Sequence, residues 1–171
     1  MKNGVGFVTA MCIAAANYLI EKTNEYNEGR SFRQQIPMSG KRLQKLLYFS
    51  DVWYMQQHGK SMLSDEFFAW PSGPVIPSVY ATFCNYQDGR MLPVDEKGHT
   101  PLTEDQRRAL DRIFAATEQI DTVDLVNASH IRFGPWDSVY KNDGEYRQIV
   151  SKESMRSFYG KRPLEDILQI R

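Results

Sequence analysis

Between Phe7 and Lys22 the apolar positions Val8, Met11, Cys12, Ala15 and Leu19, with Tyr18 beside them, recur as one broad helical face, which predicts a core helix. From Asn24 to Pro37 the periodicity stops, Gly29 and Pro37 punctuate a polar stretch, and a long surface loop is expected. The pattern resumes after Ser39, a capping residue: Leu43, Leu46, Leu47, Ser50 and Tyr54 fall on neighbouring turns, and Phe49 and Trp53 widen the arc until Gly59 closes it. So wide a face predicts a central helix touched on two sides. Lys41, Arg42 and Lys45 near its start, where the helix dipole disfavours positive charge, read as a solvated face, with an acidic neighbour or partner as the alternative.

The next stretch changes character. DEFFAW, Asp65 to Trp70, is short and aromatic and reads as a strand leading into the corner AWPSGPVIPSVY, which packs three prolines, a glycine and a tryptophan into twelve residues. Pro74 or Pro77 fits the first turn of a helix carrying Val79, Tyr80 and Phe83. A polar interruption from Gln87 to Pro101 follows, then a capping box of Thr103 and Gln106 ahead of Leu110, Ile113 and Phe114. Asp121 or Thr122 caps a shorter helix with Leu125 and Val126 inward, ending near His130 and a second punctuated motif, FGPW. Asn142 to Gly144 makes a turn, Tyr146 to Val150 reads as a second strand, and Ser151 caps a helix.

Because an isolated strand leaves its ladder groups unpaired, Phe67 to Ala69 is expected to pair with part of Arg147 to Val150. The last stretch, PLEDILQIR, places Leu164, Ile167, Leu168 and Arg171 on one side of a helix with Pro163 in its first turn. It either packs back on the core or serves as a partner-binding tail. The expected fold class is mainly α: a single compact helical domain with one short two-stranded β element.

Composition narrows the function. In 171 residues, 42% hydrophobic and 25% charged, the chain is long enough for one domain with a sizeable core. Basic and acidic residues balance at 21 each, so no overall field draws it to nucleic acid or acidic lipid. Cys12 and Cys84 read as core thiols, too few for a disulfide framework or a zinc pattern. The start, MKNGVGFVTAMCIAAANYLIEK, lacks a clear cleavage site and continues a helical pattern, so it reads as a helix and not a signal peptide. A cytoplasmic location and no membrane partner are expected.

Chemistry is thinly represented. His58, His99 and His130 have no metal-ligand spacing, Ser129 beside His130 is not a triad, and no glycine-rich phosphate loop occurs. The carboxylate pairs Asp65 and Glu66, Asp95 and Glu96, and Glu104 and Asp105 are adjacent, so they diverge in a regular element. No enzyme activity, metal or cofactor is expected. Arg108 and Arg112 share a helical face with Arg107 nearby, but Glu104, Asp105 and Asp111 dilute the field, leaving DNA binding a minor alternative. His130 reads as a corner support whose ring bonds a loop carbonyl, with partner contact and catalysis as alternatives.

The order KRLQKLLYFSDVWYMQQHGKSMLSDEFFAWPSGPVIPSVY, then SHIRFGPW, then a turn, Ile149 and a final helix resembles the Panacea domain, the SocA-like family also described as GepA-type phage-associated proteins. The likeness runs from about Ser39 to Tyr159, so residues 1–160 are read as the domain, 39–159 as its motif-bearing core and 161–171 as a tail. It implies a mainly helical antitoxin of bacterial and prophage toxin–antitoxin pairs, whose partner is a cognate toxin protein neutralised by direct binding. The alternative it carries is an adaptor delivering a bound toxin to a protease; a regulator binding DNA is a lesser reading beside it.

The family's leading helix motif falls on Leu43, Lys45, Leu46, Leu47, Tyr48 and Phe49, its first corner on Ala69, Trp70, Gly73, Pro74 and Val75, and its second on His130, Pro135 and Trp136. Ser129 stands where a threonine is common, keeping the hydroxyl. Physically, Trp70 and Trp136 have the size to anchor two corners in one core, Gly73 permits a close approach, and Pro74 restricts its predecessor. The sharper expectation is that Trp70, Pro71, Ser72 and Tyr80, with His130, frame a groove for a toxin segment, because aromatic anchors on rigid backbone lose little entropy on binding. Asn24 to Pro37 and the residues beyond Gly160 are the segments expected to set toxin choice. A monomer is expected.

Overall fold

The expected central helix is α2, Gly40–His58, and it packs against five other helices and a strand of the sheet. The computed structural model describes residues 4–84, 91, 93, 94 and 101–170, with side chains from Ala10 onward. Most of the interruption from Gln87 to Pro101, including His99 and the pair Asp95 and Glu96, lies outside the described residues, as do the Val8 side chain and Arg171. Ser39 caps α2 as expected, its hydroxyl accepting the Arg42 N–H at 3.1 Å. Gly59 closes the helix at φ 70°, a conformation glycine adopts without a Cβ penalty.

Around α2 lie α1 (Gly4–Asn27), α3 (Pro77–Phe83), α4 (Glu104–Thr117), α5 (Thr122–Ser129), α6 (Lys152–Tyr159) and α7 (Leu164–Ile167). The capping box opens α4, with Gln106 N–H on the Thr103 hydroxyl and Thr103 N–H on the Gln106 side chain. Ser151 caps α6, accepting from Ser154 N–H at 3.1 Å. Leu164, Ile167 and Leu168 are buried, so the C-terminal segment packs on the core. α1 runs further than its apolar face predicts, and the expected loop from Asn24 begins only after Asn27. Long-range bonds hold those polar turns helical: the Asn27 side chain accepts from Ile36 N–H at 2.7 Å and donates to Ile36 C=O at 2.8 Å.

A small open sheet of order β2-β1-β3 lies beside α2. β1 (Phe67–Trp70) pairs antiparallel with β3 (Ile149–Val150) in the register Phe67 to Val150 and Phe68 to Ile149, the pairing expected from the sequence. The sheet has a third strand that the two-stranded expectation lacked, β2 (Gly73–Val75), which folds back on β1 with Trp70 opposite Gly73. Pro74 therefore sits in a strand and does not start a helix; Pro77 opens α3. An edge strand tolerates proline, because no ladder bond needs its missing N–H.

The core centres on α2 and β1. The Tyr48 ring stands edge-on to Phe49, Phe67 and Tyr159, and the two tyrosine hydroxyls meet at 3.2 Å. Each such fully buried apolar side chain contributes roughly 1.5–3 kcal/mol relative to exposure. Cys12 is buried, and burial pushes its thiol up to about 12. Cys84 is exposed just past the end of α3, not in the core as expected.

Candidate partner-binding site

Lys45 and Arg42 do not form the solvated face that their charges suggest. Lys45 is fully buried, its Nζ donating to Pro74 C=O at 2.8 Å. Next to it, Gln44 accepts from Ile76 N–H at 2.8 Å and donates to Ile76 C=O at 3.3 Å. These two side chains of α2 take up backbone groups of Pro74 in β2 and of Ile76 just after it, on the side where a further strand would otherwise pair. Gly73 makes this approach possible: at φ 100°, a Cβ there would stand 2.5 Å from Ser129 Oγ and 2.7 Å from Lys45 Cε. Burial, and then the charge of Lys41, lowers the Lys45 ammonium to about 7.

Behind this edge the second corner docks. His130 follows α5, and its ring lies flat on Trp136 at 3.6 Å between centroids; Trp136 in turn stacks on Tyr140 at 4.5 Å. Trp136 Nε1 donates to Trp70 C=O at 2.9 Å, so the two tryptophan motifs are locked through backbone. Trp136 is the one in the core; Trp70 is half-buried, its ring edge-on to Tyr80 at 5.1 Å. The His130 ring supports the corner by stacking: its Nε2 is buried without a hydrogen-bond partner, where the sequence led us to expect a bond to a loop carbonyl. Burial and the nearby Lys45 lower its pKa, with Asp137 opposing.

The structure thus brings Trp70, Tyr80, His130 and Trp136 together through direct contacts. Pro71 is exposed and Ser72 half-buried at the tip of the β1–β2 hairpin, while Pro135 is buried. Leu43, Leu46, Leu47 and Tyr48 lie in the core as a structural motif. A small cavity of about 200 Å³ flanks Tyr80 on its α2 side, lined by Leu43, Val79 and Phe83.

Phe133 is the residue the sequence reading missed. Gly134 is required because a Cβ there would meet Ile131 Cγ2 at 2.5 Å and Ile131 O at 2.8 Å. The tight turn puts Phe133 at φ 62°, with its N–H held by Asp137 Oδ2 at 2.8 Å. The residue is 71% exposed, with the Arg132 guanidinium 4.7 Å from the centre of its ring. A bulky residue in the left-handed region costs about 1–3 kcal/mol, and such strain concentrates at functional sites. The signal was present as an aromatic before Gly-Pro, but nothing in sequence distinguishes an outward aromatic from a core one.

Chemically the corner offers aromatic faces and fixed backbone. Among the described residues no group of three or more His, Cys, Asp or Glu is placed to hold a metal ion, and no helix is long and apolar enough to cross a membrane. The profile of the family described as "Antitoxin SocA-like, Panacea domain" matches residues 43–137, from the motif of α2 through the second corner. The chain is 29% identical over 141 residues to a protein named antitoxin SocA from Caulobacter vibrioides, covering 77% of this chain and 71% of that one. No solved structure matches it.

Proposed function

Since the chain belongs to the SocA-like family of Panacea domains, we propose that it is the antitoxin of a toxin–antitoxin pair and that it acts in the cytoplasm by binding its cognate toxin directly. The observation that carries the proposed surface is Phe133, strained and exposed beside the locked Trp136–Trp70 corner. Phe133, Tyr80, Pro71 and the exposed edge of Trp70 present apolar area on backbone that is already ordered. Binding there avoids the cost of ordering a loop, and leaves only that of fixing the exposed side chains. His130 sets the Trp136 plane from behind, and Ser72 borders the hairpin tip. The toxin is neutralised by being covered or held inactive on this surface.

The test is co-expression with the product of the adjacent gene, scoring growth and recovery of a complex by size-exclusion chromatography. Rescue with a stable complex is expected, and replacing Phe133 with alanine should weaken that complex by at least about 2 kcal/mol, as for an interface hot spot. Rescue accompanied by disappearance of the partner would point instead to an adaptor for proteolysis. A partner that is not toxic and forms no complex with the chain would overturn the antitoxin reading.

A further inference from the structure

Between the end of α1, the loop 28–37 and the junction of α4 with α5 lies a cavity of about 460 Å³ that shares no lining residue with the aromatic corner. Arg30, Arg33 and Arg42 line it, together with Glu118 and Asp121. Arg42 reaches it from α2 while only 2% exposed. Its two Nη groups donate to Thr117 C=O and Ile120 C=O at 2.7 Å each, and its Nε is buried without a hydrogen-bond partner. These carbonyls lie at and just past the C-terminal end of α4, so the negative end of the helix dipole and the charge of Asp121 offset part of the cost of burying the guanidinium, while its Nε is left free to donate.

The same cavity holds the start of α5. Asp121 stands at the N-cap, but its side chain accepts no bond from the first turn, so the N–H groups there lack their usual side-chain acceptor. The positive end of the helix dipole adds to the arginines. Arg30 is set over the Tyr26 ring at 3.9 Å, also on the wall, and Arg33 is exposed beside it. Three guanidiniums against two carboxylates leave one formal positive charge in excess.

We propose that this cavity is an oxyanion-binding site, which takes a phosphate or a carboxylate group between Arg33, Arg30 and the first turn of α5, with Arg42 as the buried charge behind it. Planar guanidinium donors suit both groups, since each presents paired acceptor oxygens. Glu118 and Asp121 oppose the anion and set its affinity low. The site is independent of toxin recognition at the corner.

The experiment is calorimetric titration of the full chain with inorganic phosphate and, separately, with glutarate, at constant ionic strength. Saturable one-site binding of at least one probe is expected. Arg33→Ala should weaken it about tenfold, the loss of one charge-assisted hydrogen bond, and Glu118→Gln should tighten it, while Phe133→Ala leaves it unchanged. Phosphate binding more tightly than glutarate identifies a phosphate-bearing ligand, and the reverse order a carboxylate; either supports the site. Absence of saturable binding for both probes overturns the proposal. So does binding that ignores both Arg33→Ala and Glu118→Gln, or that Glu118→Gln weakens.

Discussion

Lys45 shows how a single residue can be misread from chemistry alone: a lysine beside Lys41 and Arg42 at a helix start suggests solvent, yet its Nζ is committed to Pro74 C=O in a dry interior. Its folded value of about 7 lies below the ordinary 10.5, so between those limits the unfolded chain binds more protons than the folded one. Stability therefore rises with pH across that window, and the full cost of the buried charge is felt below it. Lys45→Met should flatten this slope, which is at most about 1.4 kcal/mol per pH unit; urea unfolding at pH 7 and pH 9 measures it, and equal slopes would contradict the burial argument. Gly73→Ala should cost about 2 kcal/mol or more, because the new Cβ meets Ser129 and Lys45 at φ 100°. Phe133→Gly should have the opposite sign, raising stability by about 0.5 kcal/mol as the left-handed strain is relieved, while weakening toxin binding. Thermal unfolding in parallel with binding would separate the two effects.

At the scale of elements, helix ends were legible because capping is local chemistry: Ser39, Gly59, Thr103 with Gln106, and Ser151 all act where their spacing places them. Two errors have the same origin, long-range bonds that no local pattern encodes. The last turns of α1 are held by Asn27 bridging to Ile36, and β2 is fastened to α2 by Lys45 on Pro74 and by Gln44 on Ile76 just past the strand. The corner was half legible. Proline and glycine punctuation marked Trp70, His130 and Trp136, but exposure of Phe133 and burial of Lys45 are properties of packing. Another such network joins elements far apart in sequence: Asp51 of α2 is fully buried and accepts from Ser61, from Met62 N–H and from Lys152 Nζ of α6 at 2.7 Å. Asp51→Ala should therefore destabilise the chain by about 3 kcal/mol, since it leaves a partly buried lysine and backbone donors unpaired; denaturant titration checks this, and a loss under 1 kcal/mol would contradict a role for the network.

Across the whole molecule, rigidity and exposure are distributed unevenly. α2 threads the core and fastens the sheet edge, the α4–α5 junction and α6 through buried polar side chains, so the two tryptophan corners have a fixed platform. On the proposed reading, a toxin segment meets that platform with little reorganisation of the backbone beneath it. The most direct test is the affinity of the purified chain for the toxic product of the adjacent gene, measured for the wild type and for Phe133→Ala and Tyr80→Ala, each first shown to be folded. A tight complex is expected, weakened by both substitutions, Phe133→Ala by about thirtyfold or more, as for a hot spot. A complex of unchanged affinity in both folded variants would contradict the aromatic corner as the toxin-binding surface.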